Sequence, residues 1–253
     1  MNALSPVLRA EARKLSSTRS SVALVVVGVL YGLLGVAAAA FAPESEQVEI
    51  DSGTLLQIVR GVADLAAPVA LILGILATAG EFRHGTIVPT TLVTPRRGRM
   101  LAAKVSFSAG VGAAMALAGA AVALPAGAAW INSENGVAQA SAGDLALAVG
   151  AAAIVAAIFG ALGAAAGTIV RNQTAAITGA LVWLLVVEEI LPVALRAEGL
   201  REWLLDGAAT RVLHLPDPAA GAIPILGAAM VLIAALVALT SVAAVRAVRD
   251  DIT

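Results

Sequence analysis

Six stretches of the chain carry no charged residue, and they set its pattern. They cover residues 20–43, 65–80, 105–133, 145–170, 172–187 and 218–245. A helix rises about 1.5 Å per residue and a bilayer core is about 30 Å thick, so one crossing needs roughly 20 residues. Four of the runs are long enough as they stand. The two 16-residue runs must extend past a charge, 65–80 outward through Asp64 and 172–187 into Glu188 and Glu189. The pattern predicts an all-α integral membrane protein, a single transmembrane domain over 1–253. Its six spans are expected at 20–43, 62–80, 105–130, 145–170, 172–191 and 218–245. Ala40-Phe41-Ala42 resembles a signal-peptidase site, but a signal peptide's apolar region is about 7–15 residues and this one is longer. The first run is therefore read as a span.

Between the spans the pattern changes character. In 1–19, Leu4, Val7, Leu8, Ala12 and Leu15 share one helical face with Arg9 and Arg13 opposite, which predicts an amphipathic helix at the membrane surface. Glu11 sits within the apolar face. It either reaches water or contacts a cytoplasmic partner. In the loop 81–104, Gly85 breaks the second span, and Thr86 caps a short helix with Pro89 in its first turn. Thr94-Pro95 then opens the third span. A stiff segment hinged at both ends can transmit motion; the alternative is a basic loop that only sets topology. Arg171-Asn172-Gln173-Thr174 predicts a tight helical hairpin. Glu188-Glu189-Ile190-Leu191-Pro192 is expected to end the fifth span at the proline. Apolar residues continue through Trp203 and Leu205, which suits short helices dipping back into the bilayer better than a solvated loop. Gly28 and Gly32, and Gly160, Gly163 and Gly167, have spacings that allow close helix packing. In a chain with 24 glycines, chance accounts for them equally well.

Composition agrees with a membrane solvent. Of 253 residues, 60% are hydrophobic and 13% charged, against about 45–50% and about 25% in soluble domains. Net charge is −1 and cysteine is absent. This leaves no basis for nucleic-acid binding, disulfides or thiolate metal sites. Charge also orients the chain. With six spans, twelve of the 16 basic residues share the side of both termini and of the 81–104 loop, so that side is expected in the cytoplasm.

The chemistry of nucleotide hydrolysis is missing. There is no G-x-x-x-x-G-K-[ST] loop, and no G-x-S-x-G, H-E-x-x-H or G-x-G-x-x-G. The Glu188-Glu189 pair invites comparison with the E-E-x-x-x-R motif of intramembrane proteases, but Val193 stands where arginine is needed. Acidic residues at the edge of the bilayer are functional candidates by default. Glu188 and Glu189 could serve an ion-coupled secondary transporter, or cap the helix end and bind the nearby arginines.

The run GEFRHGTIVPTTLVTPRRGRMLAAK (80–104) resembles the segment after the second span in type-2 ABC exporter permeases, roughly E-x-x-x-G-T, an apolar stretch, T/A-P-x-x-R and a lysine entering the third span. Glu81, Gly85, Thr86, Leu92, Pro95, Arg96, Arg97 and Lys104 match it. AEARKLSSTRS (10–20) is similar to the family's opening, through Glu11, Lys14, Thr18 and Arg19. LVVEEILPVALR and WLLDGAATRVL resemble its glutamate-bearing fifth span and outer re-entrant helices. The resemblance implies a plasma-membrane permease, not itself an enzyme, that binds no cofactor. It would work as a homodimer with two copies of an ABC ATPase that holds ATP and Mg. Glu11, Glu81, Arg83, His84, Gly85, Thr86, Leu92, Pro95, Arg96 and Arg97 would form the coupling surface, with 82–95 as the coupling helix. Pro89 would shorten that helix, and the second acid, Glu189, departs from the family pattern. The cargo expected of so apolar a chain is hydrophobic or amphipathic: a drug, antibiotic, peptide or lipid-like molecule. A membrane anchor for another complex is the remaining reading.

Overall fold

A computed structural model describes residues 20–41, 53–83, 97–134, 136, 140–214 and 223–249. Among them every regular element is helical. The order is α1 (Ser20–Ala40), α2 (Thr54–Arg83), α3 (Arg97–Ser133), α4 (Ala142–Val170), α5 (Gln173–Val182), a π-helical turn (Trp183–Val187), α6 (Glu188–Ala194), a 3₁₀ turn (Glu198–Trp203), α7 (Leu205–Leu213) and α8 (Ile225–Arg249). Lipid offers no hydrogen bonds, so a crossing segment must satisfy its own backbone, and uninterrupted apolar runs therefore fold as helices.

Among the described residues, five helices are long and apolar enough to cross a membrane: Thr54–Gly80, Gly98–Ser133, Ala142–Val170, the continuous Gln173–Ala194, and Ile225–Ala247. The uncharged α1 is 21 residues long. The surface is that of a transmembrane protein. Leu185, Val193, Leu226, Met230 and Ile233 stand exposed along α5–α6 and α8, a cost in water and none in acyl chains.

The helix α4 is the hub, packed most extensively against α2 and α3 and also against α8. Phe159 and Val155 of α4, Ile75 of α2 and Met115 of α3 are fully buried at its centre. Glycine makes the close crossings possible. A β-carbon at Gly163 would collide with the Leu71 carbonyl oxygen, at Gly167 with Thr78 Oγ1, and at Gly160 with the Ser108 carbonyl oxygen. Gly32 of α1 lies likewise against the Gly119 carbonyl oxygen of α3. The glycine spacings at 32, 160, 163 and 167 are thus positions of backbone contact.

The predicted hairpin between α4 and α5 is present. Arg171 takes a left-handed conformation (φ 56°) and donates its N–H to the Gly167 carbonyl. Asn172 then caps α5, its Oδ1 accepting from the Ala175 N–H at 3.1 Å. The helices overrun the spans expected within them, since α2 begins at Thr54 and α3 at Arg97. Helix α8 begins only at Ile225. The proline at 192 does not end the helix as expected, because α6 continues to Ala194. Its missing N–H affects only the Glu188 carbonyl, and the chain closes two residues later. Arg196 there adopts φ 51°, and the Ala197 N–H bonds the Pro192 carbonyl at 2.9 Å.

Candidate functional site at the Glu188 end of the bundle

The two neighbouring acids have opposite environments. Glu188 is 2% exposed, and both of its carboxylate oxygens accept hydrogen bonds from the protein. Trp183 Nε1 donates to Oε1 at 2.7 Å. The Asp206 backbone N–H donates to Oε2 at 2.7 Å. The π turn produces the first contact: the Glu188 N–H reaches back five residues to the Trp183 carbonyl, bringing the indole alongside the carboxylate. Turns of this kind recur at functional sites. The second contact is a cap supplied through space. Leu204, which precedes α7, has no side chain that can accept from the helix's first N–H groups, and Glu188 serves in its place.

Glu189 faces outward and pairs with Arg201 Nη2 at 2.5 Å, both side chains about half exposed (49% and 55%). Asp206 stands close to this pair. Burial pushes its carboxyl above the ordinary aspartate range; Arg201 opposes that shift and Glu189 adds to it. Expected partners for the glutamates thus appear in part, with Arg201 on Glu189 and no arginine on Glu188 among the described residues.

A second clamp holds the entry to α8. Glu202 Oε2 accepts from the Ile223 N–H at 2.7 Å, and the buried Arg211 donates through Nε to the Ile223 carbonyl at 3.1 Å. On the other side, Arg60 of α2 donates through Nη2 to the His214 carbonyl at 3.4 Å. His214 Nδ1 lies 2.8 Å from the Thr210 carbonyl, an acceptor only, so that nitrogen carries the proton. The segment 198–214 is therefore fastened to α2, to α5–α6 and to the start of α8. The arrangement can hold helices in register and pass movement between them. No cluster of histidine and acidic side chains able to hold a metal ion occurs among the described residues.

Sequence reasoning passed over Trp183, Glu202, Asp206 and Arg211 as site residues, and treated Asp64 only as a charge to be crossed. One signal was available. Asp64 and Glu188 each stand four residues before a proline inside a helix, Pro68 and Pro192, where the proline removes the donor for their carbonyl.

Of the residues assigned to the coupling surface, Glu11, His84, Gly85, Thr86, Leu92, Pro95 and Arg96 lie outside the described residues. Glu81 and Arg83 are in the last turn of α2, and Arg97 opens α3. The 1–19 interface helix and the 82–95 coupling helix likewise fall outside, apart from the end of α2.

No protein-family model matches the chain, and no curated protein does.

Proposed function

We propose that the chain is the membrane-spanning subunit of an ATP-driven ABC exporter, six spans with both termini in the cytoplasm of a bacterial plasma membrane. Two copies would work with two copies of a separate ATPase to move a hydrophobic or amphipathic cargo outward. The observation that carries this reading is the 198–213 segment. Two short helices follow a glutamate-bearing apolar helix and are fastened beneath it by Glu188 and Glu189. This is the element order implied by the resemblance for the fifth span and its outer re-entrant helices. The E-x-x-x-G-T…P-R-R run after α2 supports the same reading, and so does the lack of a nucleotide-binding loop, since hydrolysis belongs to the partner. The dispositions of the two acids favour it over an ion-coupled transporter. Glu188 has both oxygens committed to fixed donors and Glu189 is paired with Arg201, so both serve as structural acceptors.

In this reading the cytoplasmic end of α2 and the loop that follows receive the force of ATP binding. Substituting Glu81, or Gly85 together with Thr86, should abolish ATP-dependent export while the permease and ATPase remain associated. Wild-type export in both variants would refute the coupling role.

A further inference from the structure

We infer that Asp64 selects for positive charge in the cargo, and that the open stripe of α2 on which it stands takes an organic cation with an apolar body. This rests on the exporter reading above and names the substrate class of that same pathway.

The stripe is defined by helical spacing. Gln57, Gly61, Asp64 and Pro68 recur at three- and four-residue intervals along one face of α2, with Gln57 and Asp64 exposed and Gly61 and Pro68 partly so. Neighbouring faces of the same helix are buried at Val59, Val62 and Ile75, with Val62 against Gly35 of α1 and Ile75 against Gly167 of α4. Asp64 is about 24 Å along the axis from Gly80, at 1.5 Å per residue, and so lies within the candidate span Thr54–Gly80, toward the outer side of a core about 30 Å thick. A carboxylate at that depth is costly and marks a path for charge.

Three observations converge on a cation. First, Asp64 makes no hydrogen bond or ion pair with another of the described residues. Arg60, one turn away, directs Nη2 to the His214 carbonyl. Second, Pro68 has no N–H to offer the Asp64 carbonyl, so the same residue presents a backbone acceptor beside its carboxylate. Third, a cavity of about 180 Å³ opens along the stripe, between Gly35, Ala38 and Ala39 of α1 and Gln57, Gly61 and Leu65 of α2. Its walls are mostly apolar, with the side chains of Thr54 and Gln57 the polar groups among them. It is smaller than the roughly 300–1,000 Å³ of a drug-sized pocket, so it holds one apolar portion of a ligand whose charged centre lies at Asp64. A carboxylate with no ion pair among the described residues, beside a mostly apolar recess, favours a lipophilic cation over an anion or a sugar.

The test uses the full-length protein in phosphatidylcholine nanodiscs, with binding of radiolabelled tetraphenylphosphonium measured against empty discs. Tetraphenylborate, an anion of the same shape, is the control. The wild type should prefer the cation. Asp64→Asn should weaken cation binding by about tenfold or more, as loss of a close charge pair in a low-dielectric site predicts, and should leave the anion unchanged or tighter. Asp64→Glu should restore the cation, which separates loss of charge from misfolding. Equal cation affinity in wild type and Asp64→Asn, no cation binding by the wild type, or preference for the anion would each overturn the inference. Capture of an ATPase from the same membranes is scored separately. Asp64-dependent binding without an ATPase would sink the exporter reading alone, and an ATPase without Asp64-dependent binding would sink this inference alone.

Discussion

Replacing Glu188 with alanine removes the one acceptor shared by two donors. The Asp206 N–H, at the start of α7, loses its partner, and so does the Trp183 indole N–H. A buried donor left unsatisfied costs about 1–3 kcal/mol. Trp183 is itself 48% exposed, so its share lies at the low end, and the total for Glu188→Ala is about 2–4 kcal/mol. Glu188→Gln keeps one acceptor oxygen and turns an amide toward the other donor, a loss of about 1–3 kcal/mol. Glu189→Gln provides the contrast, since an exposed ion pair contributes about 0.2–1 kcal/mol. Purified variants would be compared by chemical denaturation in detergent micelles. Emission would be followed from Trp183 in a background with Trp130→Phe and Trp203→Phe, so that release of the indole is read directly. Stability of Glu188→Ala within about 0.5 kcal/mol of its parent, below the cost of even one unsatisfied donor, would refute the reasoning. So would a larger effect from Glu189→Gln than from Glu188→Ala.

The remaining predictions concern packing and pH. Gly163→Ala should destabilise by about 1–3 kcal/mol through overpacking against the Leu71 carbonyl, whereas Gly150→Ala, with open space around it, should be neutral or stabilising by about 0.5–1 kcal/mol. Thermal midpoints of the two variants check this directly. Because the folded-state pKa of Asp206 is raised, the folded state holds that proton more tightly than the unfolded chain. Its contribution is most favourable below the ordinary value of 3.8 and is lost as pH rises through the raised pKa. Asp206→Asn should therefore flatten the decline in melting temperature upward from about pH 4, and an unchanged slope would contradict the assignment.

How far the fold was legible follows from the solvent. A backbone in lipid has one local way to satisfy itself, so uncharged runs translate into helices, and the Arg171–Asn172 hairpin is visible because its capping chemistry is local. Which glycines meet a backbone was not legible, because Gly163 opposite Leu71 and Gly160 opposite Ser108 depend on how α4 sits between α2 and α3. The difference between Glu188 and Glu189 was hidden for a related reason. Two adjacent acids look alike in sequence, and the π turn at 183–187 decides which one faces inward. Nothing in Trp183-Leu184-Leu185-Val186-Val187 announces that turn. Pro192 misled the reading of the helix end, because a proline near a terminus deprives only one carbonyl of its partner. The same rule, applied to Asp64 and Pro68, would have drawn attention to a residue treated only as an obstacle to the second span.

An exporter of the proposed kind moves its cargo only when a separate ATPase drives it. Affinity purification of the tagged chain from gently solubilised native membranes, followed by mass spectrometry of stoichiometric partners, tests it most directly. The expected result is a Walker-motif ATPase at one copy per permease, retained in the Glu81 and Gly85–Thr86 variants that lose export. A clean preparation of the chain with no ATPase would contradict it.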